Sequence, residues 1–128
     1  MKFMRIDDVQ YGEIIEAIEG GGAHILWNLI NRRKLGVSSS YEDRKFFFLS
    51  VMYRLMKEGR VKLASDGKFL EGTIEEQVQR YSDLWPKDEA ELFDVDFQFI
   101  EDPVDGGLYY WVEGCFVWIY EDGFMEWT

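Results

Sequence analysis

The stretch between residues 108 and 127 constrains this chain most. It holds three β-branched and aromatic runs, Leu108-Tyr109-Tyr110-Trp111-Val112, Phe116-Val117-Trp118-Ile119-Tyr120 and Phe124-Met125-Glu126-Trp127, parted by Glu113-Gly114 and Asp122-Gly123. Runs of this kind suit a pleated, half-buried surface, and acid–glycine pairs between them are turn formers. The spacing predicts an antiparallel meander. Apolar residues follow one another without strict alternation, so both faces of the sheet are expected to be apolar. One face should pack on helices. The other should be partly covered or should meet a partner.

The preceding chain reads mostly as helix. Asp7 or Asp8 can cap a first helix that places Tyr11, Ile14, Ile15 and Ile18 on one side. Gly20-Gly21-Gly22 then interrupts it. With no strand before these glycines and no Gly-Lys-Ser/Thr after them, they form a turn and not a phosphate loop. A second helix over residues 23–33 buries Leu26, Trp27, Leu29 and Ile30. Its basic end, Arg32-Arg33-Lys34, suits the helix dipole, and Gly36 is the expected stop. A third opens at residues 38–40, where Ser39 and Glu42 have capping-box spacing, carries Phe48, Val51, Met52, Leu55 and Met56, and ends at Glu58-Gly59. Asp66-Gly67 predicts a small hairpin near residues 60–71. Thr73 with Glu76 opens a fourth helix that closes before Pro86, and a short helical turn follows over residues 89–93. Val95, Phe97 and Phe99 alternate with polar neighbours as an edge strand would, and residues 101–107 form an acidic loop. The expected fold is therefore α+β over residues 1–128 as a single domain, with N-terminal helices packed on a C-terminal antiparallel meander.

Charge is distributed unevenly. Residues 1–70 carry 12 Lys/Arg against 9 Asp/Glu, a balance of +3, and residues 71–128 carry 2 against 16, a balance of -14, which together make the net charge of -11. An acidic half of this kind repels nucleic acid and anionic membrane and steers a basic partner. Aromatics interleaved with acids, and not with Lys/Arg, exclude the usual nucleic-acid platform. Residues 1–5 are followed by Asp7 and Asp8 in place of an apolar run, so no secretory leader is expected, and no stretch approaches the length of a membrane span. A cytoplasmic location follows as an expectation.

No reaction is legible. Cys115 stands alone, which excludes an internal disulfide or a multi-cysteine metal site, and its place in a strand suggests a buried, inert thiol. His24 is the single histidine and sits beside apolar residues, which argues against catalysis or zinc. Asp94 with Asp96, expected on one strand face, and Asp102 with Asp105 in one loop do not match a calcium-loop pattern. Neither a cofactor nor a metal is expected, and the chain reads as no enzyme. What remains is an acidic, aromatic surface for partner binding: Asp94, Asp96, Glu101, Asp102, Asp105, Glu113, Trp118, Tyr120, Glu121, Asp122 and Glu126, suited to a basic protein. A structural or adaptor domain forming a homodimer is the alternative.

Two segments also carry a family resemblance. The run Glu58-Gly59-Arg60-Val61-Lys62-Leu63-Ala64, continued by Gly67-Lys68-Phe69-Leu70-Glu71-Gly72-Thr73-Ile74-Glu75-Glu76-Gln77, resembles a family of small bacterial proteins of unknown function. The ending Val117-Trp118-Ile119-Tyr120-Glu121-Asp122-Gly123, with Glu126-Trp127, is similar to that family's ending. Some members of such families are immunity proteins encoded beside contact-dependent or other polymorphic toxins. The resemblance implies a cytoplasmic inhibitor of a toxin domain, not an enzyme, and it assigns no catalytic residue; the acidic, aromatic surface itself suits a basic toxin such as a nuclease.

Overall fold

Asp7 sets the start of the first helix, its carboxylate accepting from the amides of Val9 and Gln10 at 2.8 and 3.2 Å. Helix α1 follows over Asp8–Ile18 and buries Tyr11, Ile14 and Ile18, the spacing of one helical face. The coordinates are a computed structural model that describes residues 1–33 and 40–128. Helix α2 spans Ala23–Arg33 and α3 spans Tyr41–Lys57. The expected stop at Gly36, the cation Lys34 and the Ser39–Glu42 capping box lie outside the described residues. Ser40 is the observed N-cap of α3, its hydroxyl accepting from the Asp43 amide at 3.2 Å. Glu58 caps the other end, and Gly59 at φ 74° turns the chain out. Helix α4, Ile74–Leu84, begins with both halves of the Thr73–Glu76 capping box.

Among the described residues, six strands complete the fold: β1 Val61–Ser65, β2 Lys68–Phe69, β3 Phe99–Glu101, β4 Leu108–Tyr110, β5 Cys115–Ile119 and β6 Met125–Trp127. Asp66 and Gly67, at φ 52° and 75°, form the tight turn between β1 and β2, where two left-handed residues match the strand twist. The architecture is α+β, helices first and antiparallel strands last, as the sequence pattern indicates. The strands divide into two sheets, ordered β2-β1-β5-β6 and β3-β4. The hairpin is therefore not a separate ornament: β1 pairs with β5 from Val61↔Trp118 to Ala64↔Cys115. Leu108–Tyr110 pairs with β3, from Phe99↔Tyr110 to Glu101↔Leu108, and not with β5.

The edge strand expected to include Val95 and Phe97 is shorter than its alternation suggests. The Asp96 carboxylate accepts from the Gln98 amide at 2.9 Å, and the Phe99 amide bonds the Asp96 carbonyl at 3.1 Å. This side-chain-capped turn replaces ladder pairing and drives Phe97 into the core, leaving β3 only three residues. There Phe97 meets Phe48 at 5.1 Å, Trp85 at 5.3 Å and Trp27 at 5.5 Å between ring centroids. Tyr81 and Trp111 extend the cluster. Offset and edge-to-face pairs of this kind each add about 0.5–1.5 kcal/mol beyond area burial. Aromatics from α2, α3, α4 and the acidic half thus share one core.

Arg44 of α3 reaches the short helical turn at Glu89–Glu91 and grips Glu89 through both guanidinium nitrogens, at 2.6 and 2.7 Å. That contact holds the Glu89 carboxyl below the ordinary glutamate range. A carboxylate whose pKa is lowered by folding contributes stability above its unfolded value, and the contribution vanishes as pH falls through the folded value. The stability difference between the native chain and Glu89→Gln should accordingly be constant above about pH 5 and shrink toward zero by about pH 2. Denaturation midpoints across that range would check it; a difference that widens on acidification would refute the assignment.

Candidate functional site

Antiparallel register assigns each strand residue to one of two faces of the larger sheet. Val61, Leu63, Phe116 and Trp118 face the helices and are buried. The Trp118 indole donates to the Gly21 carbonyl at 2.8 Å, fixing the α1–α2 turn to the sheet. Lys62, Ala64, Phe69, Cys115, Val117, Ile119, Met125 and Trp127 share the opposite face through the pairs Ala64↔Phe69, Ala64↔Cys115, Lys62↔Val117, Val117↔Trp127 and Ile119↔Met125. Trp127 from one edge and Phe69 from the other stack at 5.3 Å across the two central strands, shielding Ala64 and Val117. Their own outer surfaces stay open, with Trp127, Met125 and Phe69 exposed by 49%, 41% and 38%. Lys62 places its ammonium 4.9 Å from the Phe69 ring. This is the second apolar face that the run pattern requires.

Where the two sheets part, a cleft of about 410 Å³ opens beside that face. It is lined by the β1–β2 turn with Asp66, the chain before β5 with Glu113, Tyr110 of β4, Gln98, Cys115 and Trp127. Gly114, at φ 131°, brings its backbone against Leu63 and Leu70 there, an approach closed to side chains. The Cys115 thiol is pushed up by burial and then by the Asp96 charge, opposite to the change that activates a nucleophile. Asp96 also stands 3.9 Å from His24 Nδ1.

The positions expected to bind a partner do not gather into one patch. Asp94, Glu101 and Asp102 line a separate cleft of about 810 Å³ next to the β3–β4 loop. Trp118, Tyr120 and Glu121 line another, of about 660 Å³, with Glu19, Glu58 and Arg60. Glu113 alone of the eleven lines the cleft between the sheets. Trp118, named as an exposed anchor, belongs to the core at 2% exposure, because its position in β5 points to the helices. Asp94 and Asp96 precede β3 in turns and do not share a strand face.

Several of these acids build the loops that carry them. Asp102 accepts from the Val104 amide at 2.7 Å and Asp122 from the Phe124 amide at 3.0 Å. Asp105 accepts from the Gly107 amide at 2.7 Å and the Tyr109 hydroxyl at 2.9 Å, and these bonds hold its carboxyl below the ordinary range. Tyr120 donates to Glu126 at 2.6 Å, which pushes its hydroxyl up to about 12. Their charge remains, so the surface is still acidic, but their lone pairs are partly used. No group of three His, Cys, Asp or Glu placed to hold a metal exists among the described residues. Nor is any helix among them long and apolar enough to cross a membrane.

Phe69, Met125, Tyr110 and Gln98 are the positions that sequence reasoning left out. The alternation Cys115, Val117, Ile119 was available as a signal, but the residues joining it depend on which strands pair.

Residues 56–128 match a family model described as "Protein of unknown function, DUF596". The matched segment includes every strand of the described residues, and hence the open face and the cleft beside it. Among solved structures, an uncharacterised protein conserved in bacteria, from Neisseria meningitidis, is similar to this chain at 26% identity and TM-score 0.65, covering 93% of this chain and 87% of that one. No curated protein matches.

Proposed function

We propose, from the premise that this chain belongs to the DUF596 family of bacterial proteins of unknown function, that it acts by binding another protein and catalyses no reaction. The observation carrying this reading is the sheet face on which Trp127, Met125 and Phe69 remain exposed over a shielded floor, with Trp127 and Met125 supplied by residues 71–128, whose charge balance is -14. Exposed aromatic anchors beside a predominantly acidic surface are what a tight, electrostatically steered interface uses. The partner class is a basic protein domain. In the immunity-type reading that the family resemblance implies, that domain is a toxin and this chain its cytoplasmic inhibitor. A nuclease fits best, since a surface built to hold phosphates is itself basic. The acids at Asp94, Glu101, Asp102, Glu113, Glu121 and Asp122 steer the encounter, while the aromatic face supplies most of the contact energy.

Co-expression with the product of the adjacent reading frame, followed by binding kinetics at several salt concentrations, tests this. A protective complex is expected, with an association rate falling about tenfold or more from low to high salt and a dissociation rate changing much less. No complex and no protection would reject the reading. Homodimerisation is the second reading, favoured by β6, which has a paired neighbour on one side only. The charge of -11 on each copy opposes it. Sedimentation showing a dimer at all concentrations, together with no partner complex, would support it instead.

A further inference from the structure

We infer that the cleft between the two sheets is an anchor pocket for one arginine side chain of the basic partner, an assignment that rests on the protein-binding reading above. Gln98 is the key observation. It is 4% exposed and lines the cleft, and its Nε2 donates to the Tyr81 hydroxyl and the Gly114 carbonyl, both at 3.1 Å. Those two bonds fix the orientation of the amide. The Gln98 Oε1 accepts from none of the described residues, yet none of their side-chain polar atoms that is shut off from solvent lacks a partner. The oxygen is therefore an unused acceptor that keeps contact with solvent, on a residue that lines the cleft.

A donor entering the cleft meets two further features. Tyr110 and Trp127 line it, and each ring is braced by another, Tyr110 by Phe99 at 4.1 Å and Trp127 by Phe69 at 5.3 Å. Rings held this way lose little freedom when a cation stacks on them. Asp66 and Glu113 add two carboxylates to the lining. A planar cation with several N–H donors can satisfy a single amide oxygen, a ring face and a carboxylate at once; an ammonium offers a point charge without a stacking plane. The cleft of about 410 Å³ admits one such side chain beside the larger aromatic contact. Lys62 and Lys68 flank the region, but the Lys62 ammonium is seated over Phe69, outside the lining.

N-acetyl-arginine amide, titrated into the full chain and followed by NMR, is the direct probe. Saturable shifts of the Gln98 side-chain amide and the Trp127 indole are expected at millimolar concentration. N-acetyl-citrulline amide, which has the shape without the charge, should leave them unmoved, and N-acetyl-lysine amide should bind at least several-fold more weakly. The double variant Asp66→Asn, Glu113→Gln, conservative at two exposed positions, should weaken arginine amide binding by roughly tenfold. Absence of shifts, equal shifts with citrulline or lysine amide, or an unchanged double variant would overturn the pocket. Should a partner complex form while the arginine amide titration stays flat, only the pocket is wrong. Should the titration succeed while no basic partner binds, the pocket stands and the partner reading falls.

Discussion

Trp118→Ala is expected to destabilise the protein by about 3–5 kcal/mol, the range for removing a buried tryptophan. The side chain is 2% exposed on the helix-facing side of β5, opposite Val61, so the cavity would open at the join of sheet and helices. Its indole is also the hydrogen-bond donor to the Gly21 carbonyl, and the variant strips that donor from the α1–α2 turn. A domain with about 5–15 kcal/mol to lose would then be close to its limit. Urea denaturation of the two proteins would measure this as a large drop in midpoint at similar slope. Trp118→Phe separates the contributions: most of the packing stays while the bond to Gly21 goes, so the loss should be clearly smaller. A native-like midpoint for Trp118→Ala would contradict the face assignment of the whole strand.

Trp127→Ala should behave in the opposite way. Trp127 lies across β5 from that core, 49% exposed, with its ring stacked on Phe69. Deleting this half-exposed ring gives up a stacking contribution of about 0.5–1.5 kcal/mol and the burial of its inner half, a smaller loss of stability than that of Trp118→Ala. As an aromatic anchor at the centre of an interface, however, it should carry 2 kcal/mol or more of partner binding, about a thirtyfold loss of affinity. The effect should fall on the dissociation rate and leave the salt dependence of association intact, because no charge changes. Equal affinity for the two proteins would place the interface elsewhere. Two tryptophans nine residues apart in one sheet thus give a stability variant and a binding variant.

That contrast also shows what the sequence made legible. Local features were readable because their causes are local: the Asp7 cap, the Thr73–Glu76 box, the Asp66-Gly67 and Asp122-Gly123 turns each depend on a few adjacent residues. Helix faces such as Tyr11, Ile14 and Ile18 followed from the 3.6-residue period. Strand faces did not. In a run as apolar as Phe116–Tyr120, alternation cannot say which set faces the helices; only the pairing of Val61 with Trp118 decides it. Trp118 was accordingly placed on the surface, and Phe69 and Met125 were left out of it. The β-like pattern at Val95–Phe99 lost to the carboxylate of Asp96, which captures the backbone amide that a ladder would use. The acidic half was evident from charge alone, but the turns that consume its lone pairs were not.

The pairing of β1 with β5 has a consequence for how the chain matures. It joins Val61 to Trp118 and Ala64 to Cys115, so the central ladder of the sheet spans some fifty residues of sequence. Loops of that length close slowly, and chains rich in such contacts fold later than their helices. During synthesis the β1–β2 hairpin emerges well before its partner. Until Cys115–Ile119 arrives, one edge of β1 is bare, with Val61 and Leu63 still waiting for Phe116 and Trp118. The nascent chain therefore passes through an interval of sticky, single-edged sheet, and its vulnerability to misassociation is set by how quickly its own final strands are delivered.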